Sequence, residues 1–271
     1  MFQTRSDELH VLGEKNPLIS SEDTLKPSAR MCHTLTDLKN GHLLLIGGRT
    51  RPGFELSDVW VYNEQARVWK QVGDIGEGMA RHSAINFGEN RVLVFSNGKF
   101  KIVTYAEDKF DVVDLTCTGS VPNLKSCSLS YNSANETFYV VGGMLEEFGP
   151  TINDALYSFT VHGTQVTLQV HCSHPHFARI GCLSTSVGQH LYIIGGAGNL
   201  PQNQESTILG FDLLSNTFHG MRIPDNVWKT YPVFIGSQIA GNSIVGGGAV
   251  CYSFGSCYNN SYLLEIPESN V

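Results

Sequence analysis

Five times along the 271 residues a cation is followed, 16 or 17 positions later, by a glycine doublet or its remnant. The pairs are Arg30 with Gly47-Gly48, Arg81 with Asn97-Gly98, Lys125 with Gly142-Gly143, Arg179 with Gly195-Gly196, and Lys229 with Gly246-Gly247-Gly248. The steps between successive doublets vary more, at 50, 45, 53 and 51 residues. A constant short offset inside a variable long period means that each unit keeps a fixed inner part and lets its outer connections drift. Repeating arrays behave this way, because each unit is constrained only where it meets its neighbours.

In each unit the doublet closes a short apolar run, such as Leu43-Leu44-Leu45-Ile46, Phe138-Tyr139-Val140-Val141 or Leu191-Tyr192-Ile193-Ile194. A short apolar run without alternation reads as a strand buried on both faces. Glycine is expected at its end, where the chain leaves at positive φ or passes close to another backbone. After the first doublet come Asp58-Val59-Trp60-Val61-Tyr62 and then Trp69, seven residues past Tyr62. After the fourth, Phe211 and Phe218 have the same spacing, and the third unit offers Tyr157 and Phe159. These read as the two outer strands of each unit, with an aromatic pair wedged between neighbours. The second unit departs, with Asn97 in place of the first glycine and no Asp–aromatic spacing from Lys99 to Leu115. Charged residues make up only 16% of the chain, against roughly 25% in typical soluble domains, and there are 28 glycines, so turns and half-buried strands are expected rather than helices.

A unit of about 50 residues with these features resembles the kelch repeat. The expected fold is all-β, a kelch-type β-propeller of five to six four-stranded blades. Residues 27–271 are expected to form the propeller, and residues 1–26, with Glu8-Leu9-His10-Val11-Leu12, an N-terminal strand or partial blade. A ring closes to hide its strand edges; the count leaves open five blades, or six with the partial one.

A more specific stretch is Gly246-Gly247-Gly248-Ala249-Val250-Cys251-Tyr252-Ser253-Phe254-Gly255-Ser256, followed by Asn259 and Asn260. With Pro27-Ser28-Ala29-Arg30-Met31-Cys32-His33 and the repeat itself, it resembles the C-terminal propeller of the tRNA wybutosine-synthesising leucine-carboxyl-methyltransferase family. The resemblance implies an S-adenosylmethionine-dependent methyltransferase domain N-terminal to the propeller. It implies work late in building wybutosine, a tricyclic guanosine beside the anticodon of phenylalanine tRNA. In some fungal members it implies a cupin-like domain after the propeller. This chain would then be an excised or stand-alone, non-catalytic propeller serving as a platform for phenylalanine tRNA or a methyltransferase domain. S-adenosylmethionine would belong to the attached or partner domain. No strand–Gly-x-Gly–helix cofactor loop appears here, and no cofactor is expected within the chain. The alternative is a general protein–protein interaction kelch module, such as a ubiquitin-ligase substrate adaptor.

Arg30, Arg81, Lys125, Arg179 and Lys229 precede the innermost strand of each unit. Equivalent positions in a ring converge on its axis, where such cations would draw a phosphate or an acidic peptide. Arginine suits bidentate phosphate contact better than lysine, which favours Arg30, Arg81 and Arg179. The competing reading pairs each cation with a carboxylate or carbonyl of the next blade. The loop Arg49-Thr50-Arg51-Pro52-Gly53-Phe54 offers charge and stacking to a nucleotide, or else is a solvated connection. The corresponding loops Met144–Phe148 and Asn199–Gln204 are further recognition candidates.

No catalytic residue and no metal site is expected. His171-Cys172-Ser173-His174-Pro175-His176 spaces its ligands too tightly for a tetrahedral site. The seven cysteines are irregularly spaced and read as reduced thiols, with Cys32, Cys127 and Cys182 in the core. Tyr252, Cys251, Tyr258 and Cys257 supply the residue types of a copper radical oxidase without its ligand pattern. A net charge of −7 argues against broad nucleic-acid binding while leaving room for a local basic mouth. No apolar run approaches the roughly 18 residues of a membrane span, and the first residues lack the apolar core of a secretory signal. The expectation is a cytoplasmic chain with no membrane partner.

Overall fold

The fold is drawn from a computed structural model that describes residues 9–10, 17–18, 25–145, 151–198, 207–222, 234–235, 238–240 and 243–245. Lys229, the glycine-rich stretch from Gly246 through Asn260, and the loop positions 146–148 and 199–204 lie outside the described residues.

Among the described residues the repeat forms four four-stranded meanders. Blade one comprises β1 (Thr34–Asp37), β2 (His42–Ile46), β3 (Asp58–Asn63) and β4 (Val68–Asp74). Blade two comprises β5 (Ser83–Gly88), β6 (Arg91–Ser96), β7 (Lys99–Ala106) and β8 (Lys109–Thr118). Blade three comprises β9 (Ser128–Asn132), β10 (Thr137–Val141), β11 (Ala155–His162) and β12 (Gln165–Ser173). Blade four comprises β13 (Leu183–Val187), β14 (His190–Ile194), β15 (Thr207–Asp212) and β16 (Thr217–Arg222). In each blade the strands neighbour one another in chain order. A further antiparallel pair joins β17 (Gln238–Ala240) to β18 (Ser243–Val245). Leu9–His10 pairs with Pro17–Leu18 in the N-terminal segment. Among the described residues no helix is long and apolar enough to cross a membrane.

The chain divides into two compact units. The first contains Met1–Phe95, Lys101–Val113 and Ile235–Ile266. Its core joins Leu44, Ile46, Val59 and Val61 of blade one to Val92, Val94 and Val103 of blade two, with Met79 between them. The second unit contains Ser96–Phe100, Asp114–Phe234 and Pro267–Val271. Its core joins Tyr139, Val141 and Leu156 of blade three to Leu191, Ile193, Leu209 and Phe211 of blade four. Here the end of β8 runs parallel to β12, Thr116–Thr118 against Gln165–Thr167.

The apolar runs become the second strand of each blade, and four of the five residues in β2, β10 and β14 are buried. The seven-residue aromatic spacing becomes a cross-strand contact. Tyr62 stands opposite Trp69 with ring centroids 5.0 Å apart, and Phe211 opposite Phe218 at 4.8 Å. Such pairs stabilise by about 0.5–1.5 kcal/mol beyond the area they bury.

The third doublet shows why glycine is required. Gly142 has φ +68° and Gly143 φ +92°, both left-handed. A Cβ on Gly142 would run into the Arg179 carbonyl oxygen of blade four, and one on Gly143 would lie 2.8 Å from the Cys127 Cβ of its own blade. The close approach makes an inter-blade bond, because the Gly143 amide donates to that Arg179 carbonyl at 2.7 Å. Blade one repeats the arrangement, Gly48 donating to the Met79 carbonyl at 2.8 Å.

Asn97 does not take the place of the first glycine. Phe95 pairs with Ser83 as Ile46 pairs with Thr34, so Ser96 and Asn97 hold the positions of Gly47 and Gly48. Asn97 (φ 50°) and Gly98 (φ +74°) form a two-residue turn leading straight into β7. Two left-handed residues of type Asn-Gly are the signature of a type I′ hairpin, whose twist matches its strands. Blade two therefore lacks the loop that follows the doublet elsewhere.

Candidate functional site

The segment leading into the innermost strand has one geometry in several blades. Met31 bridges to Arg49, Lys125 to Met144, and Ile180 to Ala197, in each case just beyond the doublet. The next residue is left-handed, with φ 58° at Cys32, 57° at Ser126 and 64° at Gly181. These residues link neighbouring blades through their backbones. The Arg81 amide donates to the Cys32 carbonyl at 2.9 Å, the Gly181 amide to the Ser126 carbonyl at 2.8 Å, and the Phe234 amide to the Gly181 carbonyl at 2.7 Å.

This frame places the cations individually. Arg30 and Arg179 occupy the same register, immediately before the bridging residue. Lys125 is itself the bridging residue, and Arg81, with φ 60°, occupies the left-handed position. Met79 holds the Arg30 register in blade two, as its carbonyl contact with Gly48 shows. The four described cations therefore do not share one register.

Arg30 and Arg179 point inward. The Arg30 side chain is 3% exposed and donates to the Asp58 carboxylate through both terminal nitrogens, at 2.5 and 2.8 Å. It also donates to the Gly47 carbonyl at 3.0 Å and to the Ser28 carbonyl and hydroxyl. The Trp60 indole N–H donates to the same carboxylate at 2.6 Å. Burial pushes the Asp58 carboxyl up, but the bonds from Arg30 and Trp60 outweigh it and hold the group below its ordinary range. Arg179 is also buried, and donates to the His176 carbonyl at 3.1 Å and to the Gly195 carbonyl at 2.8 Å. Both guanidiniums thus tie down the carbonyl of the first doublet glycine in their own blade. Arg81 and Lys125 are half-buried.

The loop after the first doublet folds into a small hairpin, Arg49–Arg51 against Phe54–Glu55. Pro52-Gly53, with Gly53 at φ +78°, supplies the proline and left-handed glycine of a type II turn. The base is tied down by two bonds between Met31 and Arg49 and by the Leu56 amide donating to the Gly48 carbonyl. Arg49 is buried there. Arg51 and Phe54 project, Phe54 being 52% exposed, with the Arg51 guanidinium carbon 3.6 Å from the centre of its ring.

The sequence pattern did not single out two histidines beside this frame. His33 and His82 are buried, and the His82 Nε2 is 2.8 Å from the Thr34 hydroxyl. Burial lowers both to a pKa of about 3, and for His33 the nearby charges of Arg30 and His82 add to the effect. Both lie just after a marked cation, at Arg30 and Arg81, which was the available signal. The folded chain keeps these rings neutral below their ordinary value of 6.5, so the unfolded chain binds protons first. Their stabilising contribution is complete above about pH 6.5 and is lost as pH falls from there towards 3. Urea midpoints measured across that range are expected to fall with pH, and to fall less steeply in His82→Gln.

His171, His174 and His176 make local packing and hydrogen-bond contacts. His174 and His176 lie against the Phe218 ring at 4.6 and 5.0 Å, and His171 bonds Asn216 at 3.1 Å. Among the described residues no three His, Cys, Asp or Glu side chains are grouped as a metal ion would need.

Residues 27–261 match the family described as tRNA wybutosine-synthesizing protein 4, beta-propeller. The tRNA wybutosine-synthesizing protein 4 of Candida albicans is 32% identical over 97% of this chain, and that of Saccharomyces cerevisiae 28% identical over 90%. The chain spans about two-fifths of their lengths, 41% and 37%. Kelch domain-containing protein 1 of Homo sapiens is 33% identical over 36% of this chain and 26% of its own. The solved structure of YjhT aligns with a TM-score of 0.59 at 12% identity, covering 87% of this chain and 82% of that one, and shares the fold. Together with the four meanders, these similarities make the chain an all-β propeller.

Proposed function

Because the chain belongs to the tRNA wybutosine-synthesizing protein 4 β-propeller family, we propose that it is a non-catalytic platform in wybutosine synthesis, holding phenylalanine tRNA or a partner methyltransferase domain. Methyl transfer, with its S-adenosylmethionine, is assigned to that attached or partner domain. The observation that carries the reading is the Arg51–Phe54 hairpin, a cation and an aromatic ring held together on a tethered turn and turned to solvent. Such a pair offers a phosphate contact and a stacking face without having to be ordered on binding. Arg81 and Lys125, half-buried beside the innermost strands, are the further contact candidates. Arg30 and Arg179 support the blades that present them.

Titration of the chain with phenylalanine tRNA and a non-cognate tRNA, at low and moderate salt, tests this. Selective binding that weakens with salt is expected. Arg51→Ala combined with Phe54→Ala should weaken it about tenfold, since stacking on an aromatic contributes roughly 1–3 kcal/mol per base. Absence of binding at low salt would shift the reading to a protein partner, as in the general kelch interaction module that the similarity to kelch domain-containing protein 1 favours.

A further inference from the structure

In the second unit the innermost strands of blades three and four run side by side in a strict register. The Ser184 hydroxyl donates to the Ser128 hydroxyl at 2.9 Å, a separation of 56 residues along the chain. The Asn132 side-chain amide donates to the Gly188 carbonyl at 2.8 Å, again a separation of 56. The layer between these two bonds holds Ser130 and Ser186, which are also 56 residues apart. Side chains two apart on a strand share a face, so Ser130 points towards blade four as Ser128 and Asn132 do. Yet the Ser130 and Ser186 hydroxyl oxygens are buried, and neither has a hydrogen-bond partner among the described residues. Ser130 is wholly inaccessible to solvent.

A buried hydroxyl without a partner forfeits about 1–3 kcal/mol, and proteins satisfy such groups with internal water where at least two polar partners converge. We propose that Ser130 and Ser186 together seat one buried water molecule, which completes the polar seam between the innermost strands of blades three and four.

A crystal structure of the chain at a resolution that shows ordered water tests the site directly. The expected result is a peak within about 3 Å of both hydroxyl oxygens. A direct Ser130–Ser186 hydrogen bond, or a dry gap between them, would overturn the proposal. Oxygen-17 magnetic relaxation dispersion provides an independent count of long-lived internal waters in solution. Ser130→Ala combined with Ser186→Ala, folded by circular dichroism, should carry one fewer than the wild type, and an unchanged count would count against the seat. Should that double variant not fold, Ser186→Ala alone serves, with the same loss expected and the same unchanged count overturning it.

Discussion

Gly142→Ala is expected to destabilise the chain by about 3 kcal/mol or more, seen as a large drop in urea midpoint. Two costs combine. An L-residue held at φ +68° costs about 1–2 kcal/mol. The added methyl also meets the Arg179 carbonyl oxygen, so the backbones of blades three and four must move apart. That movement loosens the bond from the Gly143 amide to the same carbonyl. Gly163→Ala separates the two contributions. Gly163 has a similar φ of +60° but open space where its Cβ would lie, so only the conformational cost remains. Equal losses in the two variants would mean that the close approach carries no weight.

Arg30→Met is expected to cost about 3 kcal/mol, near the low end of the roughly 3–5 kcal/mol lost when one partner of a buried ion pair is removed. The low end applies because the Asp58 side chain retains 21% exposure and partial hydration. Its carboxylate would keep the Trp60 bond but lose the guanidinium, and the Gly47 carbonyl would lose its donor. Asp58→Asn should cost clearly less in the Arg30→Met background than in the wild type, because the charge it removes is then already unpaired. A double-mutant cycle from urea denaturation measures this coupling. If Arg30→Met left stability unchanged and weakened tRNA binding instead, the arginine would be a ligand contact and not a brace.

The linkage at Asp58 adds an acid limb. Its folded pKa is depressed, so its contribution is present above the ordinary carboxylate range and is lost as pH falls through the folded value. That loss begins at the acid end of the histidine window, and comparing His82→Gln with Asp58→Asn assigns each limb.

Much of the architecture is written locally and could be read without coordinates. Runs such as Leu43–Ile46 need no partner to declare a doubly buried strand, and the seven-residue spacing of Tyr62 and Trp69 follows from a hairpin placing them opposite each other. The Arg51-Pro52-Gly53-Phe54 turn is equally local, because proline and glycine carry its dihedral angles. Asn97-Gly98 reads as a worn doublet from the residues alone, because a glycine after a buried strand serves both a doublet and a type I′ turn. Only the strand pairing tells them apart.

The repeat and the all-β class can be read from the order of the residues. What Arg30 and Arg179 do is visible only in the folded chain. A count of 16 or 17 residues from cation to doublet looks constant, but it spans hairpins of unequal size. Thr34 to Ile46 is a step of 12 residues, whereas Ser128 to Val141 is a step of 13. Equal counts across unequal hairpins slip the register, which puts Lys125 one position beyond the place that Arg30 holds. Whether a guanidinium faces solvent or a carboxylate also depends on a residue far along the chain. Asp58 is 28 residues from Arg30, and only the packing of β3 beside β2 brings the two together.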